Sequence, residues 1–232
     1  MFEKLFKIYD TLIFFDTETT GLTPVDEDQM IELAAIAIDR DGNEKEMDKF
    51  IQLYKYQELP ENITSLTGII DLTLATEGVD EANAVKEFWD MASGKTLLVA
   101  HNAQFDLLFL AMACHRIRQA GDEDPMRLFK EADYLDTLTI YRDRHTHPHK
   151  LENAIGIYGL TGLVENSHRA IDDTRALYEV AKKMEAEDDN LDKYINVFGW
   201  MKKYGPAEHK FKKVKYAMQD FKIIKPPAFD RV

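Results

Sequence analysis

The sequence predicts an α/β fold, and three observations carry the prediction. Short apolar, β-prone runs occupy residues 11–15, 30–38 and 96–100; longer segments with apolar residues three and four apart begin near residues 105 and 173; and Asp39-Arg40-Asp41-Gly42-Asn43 is rich in turn formers. Residues 11–15 are the first strand and residues 30–38 the second. The turn cluster then reverses the chain into a third strand at residues 49–53, which makes strands one to three an antiparallel meander. A helix follows at about residues 80–92, then a fourth strand at 96–100 and a helix whose buried face is Phe105, Leu108, Phe109, Met112 and Ala113. A short strand near residues 133–135 leads into further helical segments, the last with Ala176, Leu177, Val180 and Ala181 on its apolar side. With 232 residues, 45% of them hydrophobic, the chain can bury a full α/β core.

Three segments carry chemistry. In Phe14-Phe15-Asp16-Thr17-Glu18-Thr19-Thr20-Gly21-Leu22, two carboxylates stand one residue apart at the end of an apolar run. Residues i and i+2 of a strand share a face, so Asp16 and Glu18 aim like charges at one point, which costs energy unless a cation sits between them. The pair reads as half of a divalent metal site. In Ala100-His101-Asn102-Ala103-Gln104-Phe105-Asp106 a strand breaks at His-Asn, and Asp106 falls in the first turn of the next helix. His168-Arg169-Ala170-Ile171-Asp172-Asp173 opens the last helix. There Asp173 lies three before Ala176 and four before Leu177, on the inward stripe, whereas Asp172 is offset by about 100° and reads as a helix N-terminal charge.

Together, D-x-E-T-T-G-L, H-N-A-x-F-D and H-x4-D, in this order, resemble the DEDDh (DnaQ-like) 3′-to-5′ exonuclease family, which includes the proofreading exonucleases of bacterial replicative polymerases. Ile63-Thr64-Ser65-Leu66-Thr67-Gly68-Ile69, Leu135-Asp136-Thr137-Leu138 and Lys150-Leu151-Glu152-Asn153 resemble the family's intervening segments. The resemblance implies a ribonuclease H-like mixed sheet flanked by helices. It makes Asp16, Glu18, Asp106 and Asp173 the ligands of two divalent cations, Mg2+ or Mn2+, and His168 the general base. That chemistry suits these residue types. Phosphodiester hydrolysis needs neutralised phosphate charge and an activated water, two ions about 3.5–4 Å apart supply both, and hard oxygen ligands select magnesium or manganese. By the same resemblance Thr17, Thr19, Thr20, Gly21 and Leu22 line the pocket for the terminal nucleotide, with Leu22 a wedge against the base, and His101, Asn102 and Phe105 join them. The alternative is that residues 17–22 only make a turn, Gly21 supplying positive φ, and that Phe105 is core.

The resemblance leaves DNA and RNA 3′ ends both open as substrates, and action alone or with a DNA polymerase subunit. A non-catalytic binding module would need no complete set of four carboxylates and a histidine. A net charge of −13 opposes strong nonspecific binding to nucleic acid, so a distributive enzyme, or one delivered by a partner, is expected. The single cysteine, Cys114, excludes an internal disulfide and reads as core. No apolar run reaches membrane-spanning length and no leader precedes the first strand, which predicts a soluble, cytoplasmic protein without membrane contact.

Residues 1–184 are expected to form the exonuclease domain, and residues 185–232 an acidic hinge, Glu185-Ala186-Glu187-Asp188-Asp189-Asn190, with a lysine-rich extension. Residues 201–225 hold eight lysines against Glu208 and Asp220, interleaved with aromatics, a pattern suited to a single strand or to a docked appendage with a solvated face. Lys225-Pro226-Pro227 is expected to trail along the surface. His145-Thr146-His147-Pro148-His149 reads as a solvated loop bordering the cleft, since nothing nearby completes a transition-metal set.

Overall fold

The computed structural model describes residues 1–25, 28–55, 58–219 and 226–232. β1 (Thr11–Thr19) is the central strand of a five-stranded sheet of order β3-β2-β1-β4-β5, with β2 at Met30–Asp39, β3 at Glu44–Phe50, β4 at Thr96–Ala100 and β5 at Asp133–Asp136. β1, β2 and β3 pair antiparallel, and β4 and β5 extend the sheet in parallel from the other side of β1. The mixed α/β sheet and its meander match the sequence reading.

The unbroken apolar run of β1 follows from helices on both faces, because each alternate residue must then be apolar. Ile13 and Phe15 enter one core with α4 (Glu81–Asp90), α5 (Ala103–Gln119) and α6 (Asp124–Glu131). Leu12 and Phe14 enter the other with α1 (Glu3–Phe6), α7 (Thr137–Arg144), α8 (Leu151–Ile157) and α9 (Ala170–Glu187). Phe15 meets Phe88 at 5.5 Å between ring centroids, and Phe14 meets Tyr178 at 5.1 Å. The short helices α2 (Glu61–Thr67) and α3 (Asp71–Thr76) cover Ile31 at the start of β2.

The structure corrects three boundaries. β1 continues four residues beyond its expected end, so Asp16 and Glu18 lie within the strand, opposite Ala34 and Glu32. β3 begins directly after the turn, pairing Glu44 with Ile38, and ends at Phe50. As an edge strand its exposed positions carry Glu44, Lys45 and Glu46, so the apolar signal that suggested residues 49–53 misplaced it. The buried stripe of α5 is Asp106, Leu107, Phe109, Leu110, Ala113, Cys114 and Ile117, while Phe105, Leu108 and Met112 are half-buried. This helix is apolar around most of its circumference, so spacing alone could not choose its inner face. Cys114 is core as expected, and burial pushes its thiol up to about 12.

Asp136, at the end of β5, joins the parallel half of the sheet to the helices beside it. Its carboxylate accepts hydrogen bonds from the amides of Asn102 and Ala103, where α5 begins, and from those of Leu138 and Thr139 in α7. One buried side chain thereby sets the start of two helices.

The C-terminal segment packs into these same cores. α9 runs through the expected hinge as far as Glu187, and Arg144 holds its end, bonding Glu187 at 3.2 Å and Asn190 at 2.7 Å. β6 (Val197–Met201) and β7 (Lys215–Gln219) form a parallel pair. Phe198 and Val214 enter one core, Val197 and Ala217 the other. Lys213 is structural, donating to the carbonyls of Lys130 and Ala132. Asp220, Lys222 and Lys225 of the lysine-rich run lie outside the described residues. Pro226 is exposed, as expected of a surface segment, and beyond Pro227 the chain docks: Ala228 is buried, and Phe229 meets Tyr194 at 4.8 Å. Among the described residues no helix is long and apolar enough to cross a membrane.

Candidate active site

The β pleat turns Asp16 and Glu18 to one face of β1 and buries Thr17 on the other. α9 brings Asp173 from its first turn to the same place, so that ligand oxygens of Asp16, Glu18 and Asp173 all lie within 4.8 Å of one another. Asp106 arrives from the first turn of α5. Its Oδ1 accepts hydrogen bonds from the Thr17 amide at 3.2 Å and the Thr17 hydroxyl at 2.7 Å. Thr17 is therefore a support for Asp106, with its side chain turned away from the face that Asp16 and Glu18 share. Asn166 donates to Asp173 at 2.7 Å, and Asp172 points elsewhere, bonded to Ser167 and Arg175.

The electrostatics are those of a cation site. Burial, then the charges of Asp106, Asp173, Glu18 and Glu32, hold the Asp16 carboxyl well above the usual carboxylate range. Burial and the charge of Asp173 push Glu18 up to about 9. Burial raises Asp106 to about 7 against the lowering effect of the Thr17 hydrogen bonds, and Asp173 to about 6 against those of Asn166 and His168. Asp16, Glu18 and Asp173, which offer only oxygen and cannot all ionise together without a counter-charge, form a donor set suited to a hard divalent cation, and Asp106 adds its charge beside them.

His168 lines the cleft with Asp16 and Asp173, on a turn where its own φ is +58°. That left-handed turn is anchored by the next two residues. Arg169 donates to the fully buried Glu32 from Nη2 at 2.8 Å and from Nε at 3.1 Å, and the Ala170 amide adds a third bond at 3.0 Å. The guanidinium also covers the Phe50 ring at 4.8 Å and lies 3.9 Å from Asp48. Burial and the neighbouring Glu32 charge raise Asp48 to about 7. Sequence reasoning missed this lock. Its signal was a glutamate inside the apolar run at residues 30–38, a charge that has to find a partner once buried. Glu32→Ala is expected to cost about 3–5 kcal/mol, because it strands Arg169, and to lower kcat by releasing His168. Urea unfolding and steady-state kinetics read both effects; an unchanged kcat would mean that the turn is held by other contacts.

The predicted nucleotide-pocket residues divide. Thr19 and Thr20 are buried, and their hydroxyls bond the Gly21 carbonyl and Asp28, which makes them turn residues. Gly21 does not have the positive φ expected of it. A Cβ there would lie 2.4 Å from the Asp28 carboxylate, so close approach is what demands glycine. Leu22 is 82% exposed and stands at the cleft mouth with Asn102 and Phe105. Phe105 also stacks on Phe109 at 5.0 Å. His101 reaches the cleft wall with both ring nitrogens engaged, by Thr137 and by the His149 carbonyl, and burial lowers its pKa. The histidine loop is more packed than expected: His145 bonds Tyr158, His149 is buried, and only His147 is exposed. His147 and His149 do border the cleft.

The chain is similar to known proteins in both sequence and fold. The chain is 29% identical over 186 residues to the DNA polymerase III subunit epsilon of Treponema pallidum, covering 79% of this chain and 81% of the relative. It is 30% identical over 220 residues to the PolC-type DNA polymerase III of Staphylococcus haemolyticus, covering 93% of this chain and 13% of that polymerase. The PolC-type polymerase of Bacillus subtilis is 32% identical over 181 residues, 75% of this chain and 11% of its own. Among solved structures, E. coli exonuclease I in complex with a dA16 oligonucleotide superposes with a TM-score of 0.64 at 20% identity, covering 80% of this chain and 42% of that one. Cell-death related nuclease 4 superposes at 0.62 with 16% identity, covering 78% and 65%. These two share the fold. The RNase T exonuclease family model matches residues 13–181, a span that holds Asp16, Glu18, Asp106, His168 and Asp173, and the chain belongs to that exonuclease family.

Proposed function

We propose that this protein is a metal-dependent 3′-to-5′ exonuclease of DNA, releasing nucleoside 5′-monophosphates from single-stranded or frayed 3′ ends. The observation that carries the reading is the cluster of Asp16, Glu18 and Asp173, with Asp106 held nearby by Thr17 and with His168 lining the same cleft as Asp16 and Asp173. Asp16, Glu18, Asp106 and Asp173 would hold two magnesium or manganese ions, which when bound neutralise phosphate charge and acidify a water. Thr17 and Asn166 orient two of these carboxylates. His168, on the cleft wall with Asp16 and Asp173, takes the proton of the attacking water as general base, while the leaving 3′ oxygen departs with the shortened strand. Leu22 and Phe105 present apolar surface to the terminal base. DNA is favoured because the relatives are named as a DNA polymerase III subunit epsilon and PolC-type DNA polymerases III, which also supports proofreading beside a polymerase; a cytoplasmic location is part of the same proposal. Residues 1–184 act as the catalytic unit and residues 185–232 as its extension.

Degradation of 5′-labelled DNA beside matched RNA, with magnesium or manganese and with Asp16→Ala as control, tests this. A 3′-to-5′ ladder that needs metal, runs faster on DNA and vanishes in the variant is the expected result. Faster RNA cleavage would transfer the same chemistry to an exoribonuclease, and no cleavage of either by folded protein would refute the enzyme. His168→Gln should lower kcat by about 10²–10⁴-fold with KM little altered; a fall confined to KM would remove the general-base role.

A further inference from the structure

The cleft is not acidic throughout. Its volume is about 700 Å³, and Arg142, Met201 and Tyr204 stand on its walls as well as Asp16, Asp173 and His168. Arg142 donates from Nη1 to the Gly199 carbonyl at 3.2 Å, whereas its buried Nε has no hydrogen-bond partner, and no ion pair joins it to a carboxylate among the described residues. Asp136, whose charge it feels, is already bonded to the amides at the starts of α5 and α7. A desolvated guanidinium without a carboxylate is an unfilled donor for an anion.

Met201 and Tyr204 belong to the C-terminal segment, not to the matched family span. Gln104, in the first turn of α5, pins this segment over the cleft, donating to the His209 carbonyl at 2.7 Å and accepting from the Tyr216 hydroxyl at 2.7 Å. Ala207, Glu208 and His209 close a neighbouring cavity of about 400 Å³ that shares Leu22, Asn102 and Phe105 with the first. On the cleft wall Tyr204 is 71% exposed, and in the same segment of chain Lys202, Lys203, Lys210 and Lys212 are exposed without an ion pair among the described residues. In a chain of net charge −13, exposed cations without a carboxylate partner, carried by the segment that supplies Met201 and Tyr204 to the cleft, are the part of the surface suited to hold a polyanion.

We infer that residues 201–212 and Arg142 form a strand-holding wall, which takes the phosphodiester backbone of single-stranded nucleic acid on the 5′ side of the bond to be cut. Arg142 and the Lys202-Lys203 pair meet phosphates, and Tyr204 offers its ring to an unpaired base. The inference rests on the exonuclease reading for the direction in which the strand lies.

The test separates strand holding from chemistry by comparing two substrates: thymidine 5′-(p-nitrophenyl phosphate), which has no upstream strand, and 5′-labelled dT16. Tyr204→Ala, Lys202→Glu with Lys203→Glu, and Arg142→Gln should each lower kcat/KM on dT16 by about tenfold more than on the small ester, mainly through KM. The lysine pair should also flatten the salt dependence, by about 0.7 per charge removed on the log–log slope. Anisotropy of fluorescent dT16 carrying a 3′-terminal phosphorothioate reads binding without turnover, and the variants should weaken it several-fold. Equal losses on both substrates, or dT16 affinity unchanged in Tyr204→Ala and the lysine pair, would overturn the wall. Wild-type protein that hydrolyses neither substrate, yet binds dT16 through these residues, would overturn the exonuclease reading and uphold the wall.

Discussion

Asp16→Asn is expected to lower the exonuclease rate by about 10³-fold or more and, in the same protein, to raise the melting temperature of the metal-free form. Both effects have one cause. Asp16 sits among Asp106, Asp173, Glu18 and Glu32, and this crowding holds its carboxyl well above the ordinary range. The amide keeps the shape of the side chain and needs neither a proton nor a counter-charge to sit among these neighbours, so the cation loses a ligand while the metal-free cluster is relieved of the cost of keeping Asp16 protonated or ionised there. Relief of about 1–2 kcal/mol would raise the melting temperature by roughly 2–8 °C in a chain of this length. Nuclease assays with magnesium and thermal unfolding in chelator measure the two sides. An inactive variant that is also less stable would mean that Asp16 serves the fold rather than a cation.

The second large effect is the pH dependence of stability and its removal by metal. Glu18, Asp106 and Asp173 titrate in the fold at about 9, 7 and 6, above the range near 4 expected of the unfolded chain. Between those limits the native state binds more protons than the unfolded state, so stability contributed by the protonated cluster is fully present below about pH 4 and is lost as pH rises toward 9. Metal-free protein should therefore lose melting temperature steadily between about pH 5 and 9. Magnesium at saturation replaces the lost protons as counter-charge, so its stabilisation should be larger at pH 8 than at pH 5. Calorimetry across that range with magnesium or chelator decides it. A metal effect independent of pH would show that these carboxyls do not hold the ion. The same scan on Asp172→Asn, at a carboxylate bonded to Ser167 and Arg175 instead, should keep the wild-type metal response.

The candidate site was legible in the sequence because its motifs are local and resemble those of a known family. Asp16 and Glu18 share a face by the two-residue pleat, Asp173 lies on the same helical stripe as Ala176 and Leu177, and Asp106 opens a helix that a strand leads into. The resemblance that places Thr17, Thr19 and Thr20 in the nucleotide pocket says nothing of their side-chain hydroxyls, which the fold engages with Asp106, Gly21 and Asp28. Asp136 stood within a recognised segment, yet its bonds to Asn102 and Ala103 cross more than thirty residues of chain.

By itself the sequence determined the layered α/β order, the antiparallel meander, and the carboxylate and histidine positions, since each depends on neighbours two to five residues apart. Tertiary structure alone decided that Glu32 meets Arg169 to anchor the His168 turn, that Asp136 sets the start of both α5 and α7, and that Met201 and Tyr204 stand on the cleft wall beside Arg142. A buried charge must find an opposite charge or a donor, and which distant residue answers it is settled only when the strands and helices pack.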